Sequence, residues 1–138
     1  MDLDKAIAIA VKAHAGQKDL VGLPFILHPL RVMLAMDSLH DKIVAVLHDV
    51  LEDSSVTAAD LLEAGFSTEA VLAVSVLTRS KDMTYKAYIE LVKTNPQARR
   101  VKIADLRDNI NRSWALPNDK ARSLGRRYGD ALATLERL

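Results

Sequence analysis

The 138-residue chain has no cysteine, which excludes disulfides, thiolate metal ligands and a cysteine nucleophile, and which suits a reducing cytoplasm. Aromatic residues make up only 4% of it and alternating β-branched runs are few, so there is little material for a sheet. No apolar run approaches the roughly 20 residues that span a bilayer, and the opening MDLDKAIAIAVKAH carries no cationic leader with a cleavage site. A soluble, cytoplasmic protein without a membrane partner is expected. A net charge of +1 argues against a nucleic-acid partner, and nothing excludes a homo-oligomer. Any metal site must be built from histidine and carboxylate.

What is present is helical punctuation. The length suits one domain over residues 1–138, able to bury roughly two thirds of the surface of its unfolded chain. Ile7, Ala10, Val11 and His14 keep a helical spacing and Gly16 follows as a stop. Pro29 is placed to open a second helix through LRVMLAM, residues 41–52 read as a third, and Thr57 opens a short fourth. STEAVLAVSVLT and residues 84–93 give a fifth and sixth. Asn95-Pro96 caps a long seventh running to about Trp114, and Pro117-Asn118 resets the chain for the last. The expected fold is all-α, a single compact bundle of about seven or eight helices.

Within the third segment, VAVLHDVLEDS sets His48, Asp49, Glu52 and Asp53 into an otherwise apolar run. On one continuous helix, with His48 at zero, Glu52 falls at about 40°, Asp49 at about 100° and Asp53 at about 140°, one polar face opposite Ile43, Leu47 and Leu51. Taken alone, that face is explained by water. Two further residues alter the balance: His28 at a helix start, and Asp105 in VKIADLRDN, where apolar neighbours place it near the packed side of its helix. A carboxylate there is costly unless paired or metal-bound. Two imidazoles and two carboxylates from three helices suit a divalent ion, manganese first, with iron, magnesium or zinc as alternatives. Charge is also uneven: residues 1–94 hold 9 Lys/Arg against 13 Asp/Glu, residues 95–138 hold 10 against 5, as suits a metal near phosphates. Lys102, one turn before Asp105, is the candidate phosphate contact. His14 reads as a satisfied core histidine, His40 as surface or a cap, and Trp114 and Tyr128 as packing.

The ordered set His28, His48-Asp49 and Asp105 resembles the HD-domain metal-dependent phosphohydrolases. With AHAGQ (13–17), PFILHPL (24–30), VLHDVLEDS (46–54) and VKIADLRDN (101–109), the chain is similar to the small stand-alone Rel/SpoT-type alarmone hydrolases, which cleave the nucleotide ppGpp. The resemblance implies an all-α HD fold in which His28, His48, Asp49 and Asp105 bind one metal, usually manganese. It implies that Glu52 and Asp53 act on the attacking water and that Asn109 lines the nucleotide site. Where the family carries an Arg-Lys pair that packs on the guanine base, this chain has Asp19-Leu20, with Lys18 one residue away as the substitute. Two alternatives stay open, an HD phosphohydrolase acting on another nucleotide and a non-catalytic nucleotide-binding HD module.

Overall fold

The computed structural model describes residues 2–113 and 118–137, in which the chain forms nine helices and no strand. They are α1 (Leu3–Ala13), α2 (Leu27–Leu34), α3 (Leu39–Leu47), α4 (Val50–Asp53), α5 (Ala58–Glu63), α6 (Thr68–Leu77), α7 (Tyr85–Lys93), α8 (Pro96–Arg112) and α9 (Asn118–Glu136). Trp114 and Pro117 lie outside the described residues. An isolated bridge between Lys18 and Pro24 closes the α1–α2 loop.

Side-chain caps set most helix starts. Asp2, Ser38, Thr57, Ser67, Thr84 and Asn95 each accept a hydrogen bond from a first-turn N–H, and Thr57 and Asp60 cap each other reciprocally. Ser38, not His40, caps α3, and His40 is exposed. Gly16 and Gly65 end α1 and α5 at φ values of 80° and 100°, a region that favours glycine.

Helix α3 is the hub, packing against α1, α2, α6 and α8. Ile43, Val44, Ala45, Val46 and Leu47 are all buried, so from Ile43 onward α3 is apolar on every side and must be wrapped by other helices. Ile43, Val44, Val46 and Leu47 each contribute about 1.5–3 kcal/mol by leaving water.

The expected third helix is in fact two. Regular winding stops at Leu47 because His48 turns inward on itself: its backbone N–H and its ring Nδ1 both donate to the Ala45 carbonyl, at 3.3 and 2.5 Å. Asp49 then adopts φ −104°, ψ 0°, and α4 follows as a separate single turn. The His48-Asp49 pair therefore sits in a break between helices rather than on a continuous polar face.

Candidate metal centre and cleft

Three parts of the fold converge at the α3–α4 break. His28, from the first turn of α2, brings its Nε2 to 2.7 Å from Asp105 Oδ1 and 4.0 Å from Asp49 Oδ2. His48 Nε2 lies 3.0 Å from Asp49 Oδ2 and 3.3 Å from Asp105 Oδ1. One donor atom from each of His28, His48, Asp49 and Asp105 falls within 4.8 Å of all the others. Donors each about 2.1 Å from a shared ion stand at most about 4.2 Å apart, and the four separations above, 2.7–4.0 Å, lie inside that limit.

Both rings are aimed from behind. His28 Nδ1 lies 2.6 Å from Asp108 Oδ2, and Asp108 is clamped by Arg31 through Nε at 2.8 Å and Nη2 at 3.0 Å. The Ala45 carbonyl does the same for His48. Fixing Nδ1 as the donor leaves Nε2 of each ring facing the cluster, the arrangement that histidine metal ligands use.

The charge balance points the same way. Burial opposes ionisation throughout the cluster, yet Lys102 and the two imidazoles hold Asp105 well below the usual carboxylate range, and His48 holds Asp49 low. Burial likewise opposes protonation of the imidazoles, but the hydrogen bonds that His28 donates to Asp105 and Asp108 push it up, and Asp49 and Asp105 push His48 well up. Without an ion, protons supply the positive charge that buried carboxylates need. A divalent cation would take over that role and release them, so this nitrogen and oxygen donor set fits one.

Glu52 lines the cleft above the cluster. Burial, then the charges of Asp49 and Asp53, push its carboxyl upward. Asp53 is shifted in the same direction by burial and Asp49, but is not among the residues lining the cleft. Its carbonyl accepts from Gln17 Nε2 at 2.9 Å, and Gln17 is joined to His14 Nδ1 at 2.9 Å, so the AHAGQ segment tethers the end of α4. His14 is buried against Phe25 as expected of a core residue, but only half satisfied, since its Nε2 has no partner.

The cleft holds about 440 Å³, within the range of small-molecule sites. His28, Asp49 and Asp105 line it, with Lys102 beside them and Lys18, Arg79, Arg112 and Arg127 along the walls. Lys102 Nζ is 2.8 Å from Asp105 Oδ2 and 5.3 Å from the centre of the Tyr88 ring, and although burial opposes its charge, Asp105 and then Tyr88 push its proton affinity up. Asn109 Nδ2 is 3.5 Å from Asp105 Oδ1, and Lys18 is exposed at the rim. Tyr128 both packs on the core and lines the cleft.

No family model matches the chain. It is 29% identical over 146 residues to the guanosine-3′,5′-bis(diphosphate) 3′-pyrophosphohydrolase of Aquifex aeolicus, covering 97% of this chain and 21% of that protein. It is 32% identical over 148 residues to the enzyme of that name in Vibrio cholerae, covering 96% and 21%. The chain is a relative of the Rel/SpoT-type proteins. It spans about a fifth of the length of these curated relatives. Its fold is shared with a metazoan ortholog of SpoT, a protein that hydrolyses ppGpp, at a TM-score of 0.77 and 20% identity over 98% of this chain and 85% of that one.

Sequence reasoning alone missed three positions in this Rel/SpoT relative. Asp108 follows Asp105 by three residues on a helix rich in charge and reads as surface; only folding brings it to His28, 80 positions away. Gln17 gave no polar partner to look for. Arg112 pairs with Asp19 at 2.7 Å across 93 positions, so the acidic residue of the α1–α2 loop is not an unpaired charge.

Proposed function

We propose that this chain is a manganese-dependent phosphohydrolase that removes the 3′-pyrophosphate of guanosine 3′,5′-bis(diphosphate). The observation that carries the reading is the cluster of His28, His48, Asp49 and Asp105 beside Glu52 in a cleft walled by cations. Two imidazoles and two carboxylates suit manganese among the divalent ions. When bound, such an ion acidifies water and offsets charge on a phosphoryl oxygen.

The chain's own residues would do the rest. Lys102, Arg79 and Arg127 draw the phosphates of the substrate into the cleft. Glu52, with its raised proton affinity, takes a proton from the attacking water, and Asp53 supports that affinity through its charge. Asn109 offers an amide to the nucleotide between Asp105 and the end of α8. Water adds to phosphorus, the bond from phosphorus to the 3′ oxygen breaks, and that oxygen leaves with a proton, giving GDP and pyrophosphate. The names of the relatives support this choice of substrate. The cytoplasm, where nucleotides are free in solution, is the compartment the reading requires.

A second reading, an HD phosphohydrolase for a different nucleotide, is favoured by one observation, Asp19-Leu20 in the α1–α2 loop. A panel of nucleotides including ppGpp, incubated with and without manganese, separates the two by the phosphate that is released. Pyrophosphate released from ppGpp, and only with the metal, is the expected result. Turnover of another nucleotide in its place would select the second reading, and no turnover of any would leave a binding module.

A further inference from the structure

We infer that Arg112, held in place by Asp19, is the residue with which this chain recognises the base of its nucleotide, and that it selects a 6-oxopurine such as guanine. The inference rests on reading the cleft as a nucleotide site, and it names the part of that site that sets specificity.

Asp19 first. Its Oδ1 accepts from the N–H groups of Val21 at 3.0 Å and Leu23 at 2.9 Å, which folds the loop over the cleft, and its own N–H donates to the Leu23 carbonyl at 2.8 Å. The remaining oxygen, Oδ2, takes Arg112 Nη2 at 2.7 Å. The carboxylate is therefore fully engaged and presents no bare negative charge to a base. Among the described residues it is also the one partner of the Arg112 side chain.

Arg112 sits where a base would arrive. Asp105, Asn109 and Arg112 succeed each other by four and three residues, so they share one face of α8. At 1.5 Å per residue, Arg112 stands about 10 Å along the helix from the metal-facing carboxylate. That is the reach of a nucleoside from its 3′ phosphate to the far edge of its base. Around Arg112 the recess is closed by Leu20, Val21 and Tyr128, apolar surfaces suited to a flat ring. Leu20 is 67% exposed and forms the lip.

The chemistry then selects the ligand. A guanidinium anchored at one nitrogen keeps its planar face and its other N–H groups available, and anchoring reduces the freedom lost when a ligand binds. The face can stack on a purine, and a pair of N–H groups matches the O6 and N7 acceptors of guanine. Adenine presents an N–H donor where guanine has O6, and a second donor opposite it is unfavourable.

The test is equilibrium binding of GDP, ADP and pyrophosphate to the manganese-loaded chain. GDP should bind at least fivefold more tightly than ADP. Arg112→Ala should weaken GDP by about tenfold, the scale of a stacked or bidentate arginine contact, and bring the GDP to ADP ratio close to one while pyrophosphate changes less than twofold. Arg112→Lys, which keeps the charge and the partner but loses the planar fork, should also lose the preference. Asp19→Asn should cause a smaller loss in the native background and none when added to Arg112→Ala, as expected of a positioning residue. The inference fails if the native chain shows no preference for GDP, if either Arg112 variant retains the preference, or if pyrophosphate weakens as much as GDP, which would make Arg112 a phosphate contact. GDP binding needs no turnover, so this outcome is separate from pyrophosphate release from ppGpp, which judges the hydrolase reading.

Discussion

The two ends of the cleft are built differently. At the inner end, His28, His48 and Asp105 are no more than 8% exposed, come from α2, the α3–α4 break and α8, and are cross-linked by hydrogen bonds of 2.5–3.3 Å. At the outer end, Lys18 and Arg127 are exposed, and Asp19 and Arg112 join a loop to the last turn of a helix. The inner groups are held by the core, so they cannot be exchanged without disturbing it. The outer groups are held by one ion pair and a short loop, and can vary with little cost to folding. On the proposed reading, chemistry is anchored in the interior and selectivity is hung on its edge.

The sharpest way to break this contrast is Asp105→Ala. It removes a proposed metal ligand and leaves Lys102 and two imidazoles without their buried counter-charge, for which a loss of about 3 kcal/mol is expected in the metal-free protein. Manganese should then no longer raise the melting temperature, because no folded-state site remains to bind it. Stoichiometric metal in this variant would remove Asp105 from the site.

Next in size is Glu52→Gln, which should leave metal content and melting temperature unchanged while lowering turnover by roughly 10²-fold. Undiminished turnover would make Glu52 an ordinary solvated side chain.

Asp108→Ala probes the support behind His28 and should weaken metal affinity by about 10- to 100-fold without removing a ligand, as a titration of metal-free protein would measure. Asp108 also gives a pH signature. Although burial opposes it, hydrogen bonds from His28 and Arg31 hold this carboxyl down at about 2. The folded state thus favours the ionised form, so the contribution is complete above the unfolded value near 4 and is lost as pH falls through about 2. The acid unfolding curve of metal-free Asp108→Ala should lose that component; an unchanged curve would mean that the clamp carries no stability.

The smallest effect belongs to the rim. Lys18→Ala should change the KM for any nucleotide by no more than about twofold, since an exposed charge is screened. A tenfold rise would place Lys18 among the true substrate contacts.

What the sequence revealed follows the same division. His28, His48, Asp49 and Asp105 were legible as a set because their order and spacing resemble the HD-domain pattern, although the polar face around His48 and Asp49 is by itself explained by water, and the helices were legible because caps such as Ser67, Thr84 and Asn95 mark their starts. The break at His48-Asp49 was not, because it depends on a ring nitrogen bonding back to Ala45, which no periodicity records. Asp108 and Arg112 were hidden for another reason: each is an ordinary charged residue on a polar helix until folding supplies His28 or Asp19 from far along the chain.

The central claim, that one ion at the four-residue cluster drives hydrolysis, is tested most directly by titrating metal-free protein with manganese while following pyrophosphate release from ppGpp in the same samples. The account requires release to rise with occupancy and level off at one ion per chain. Release that is undiminished without metal, or an ion that binds with no release, would contradict it.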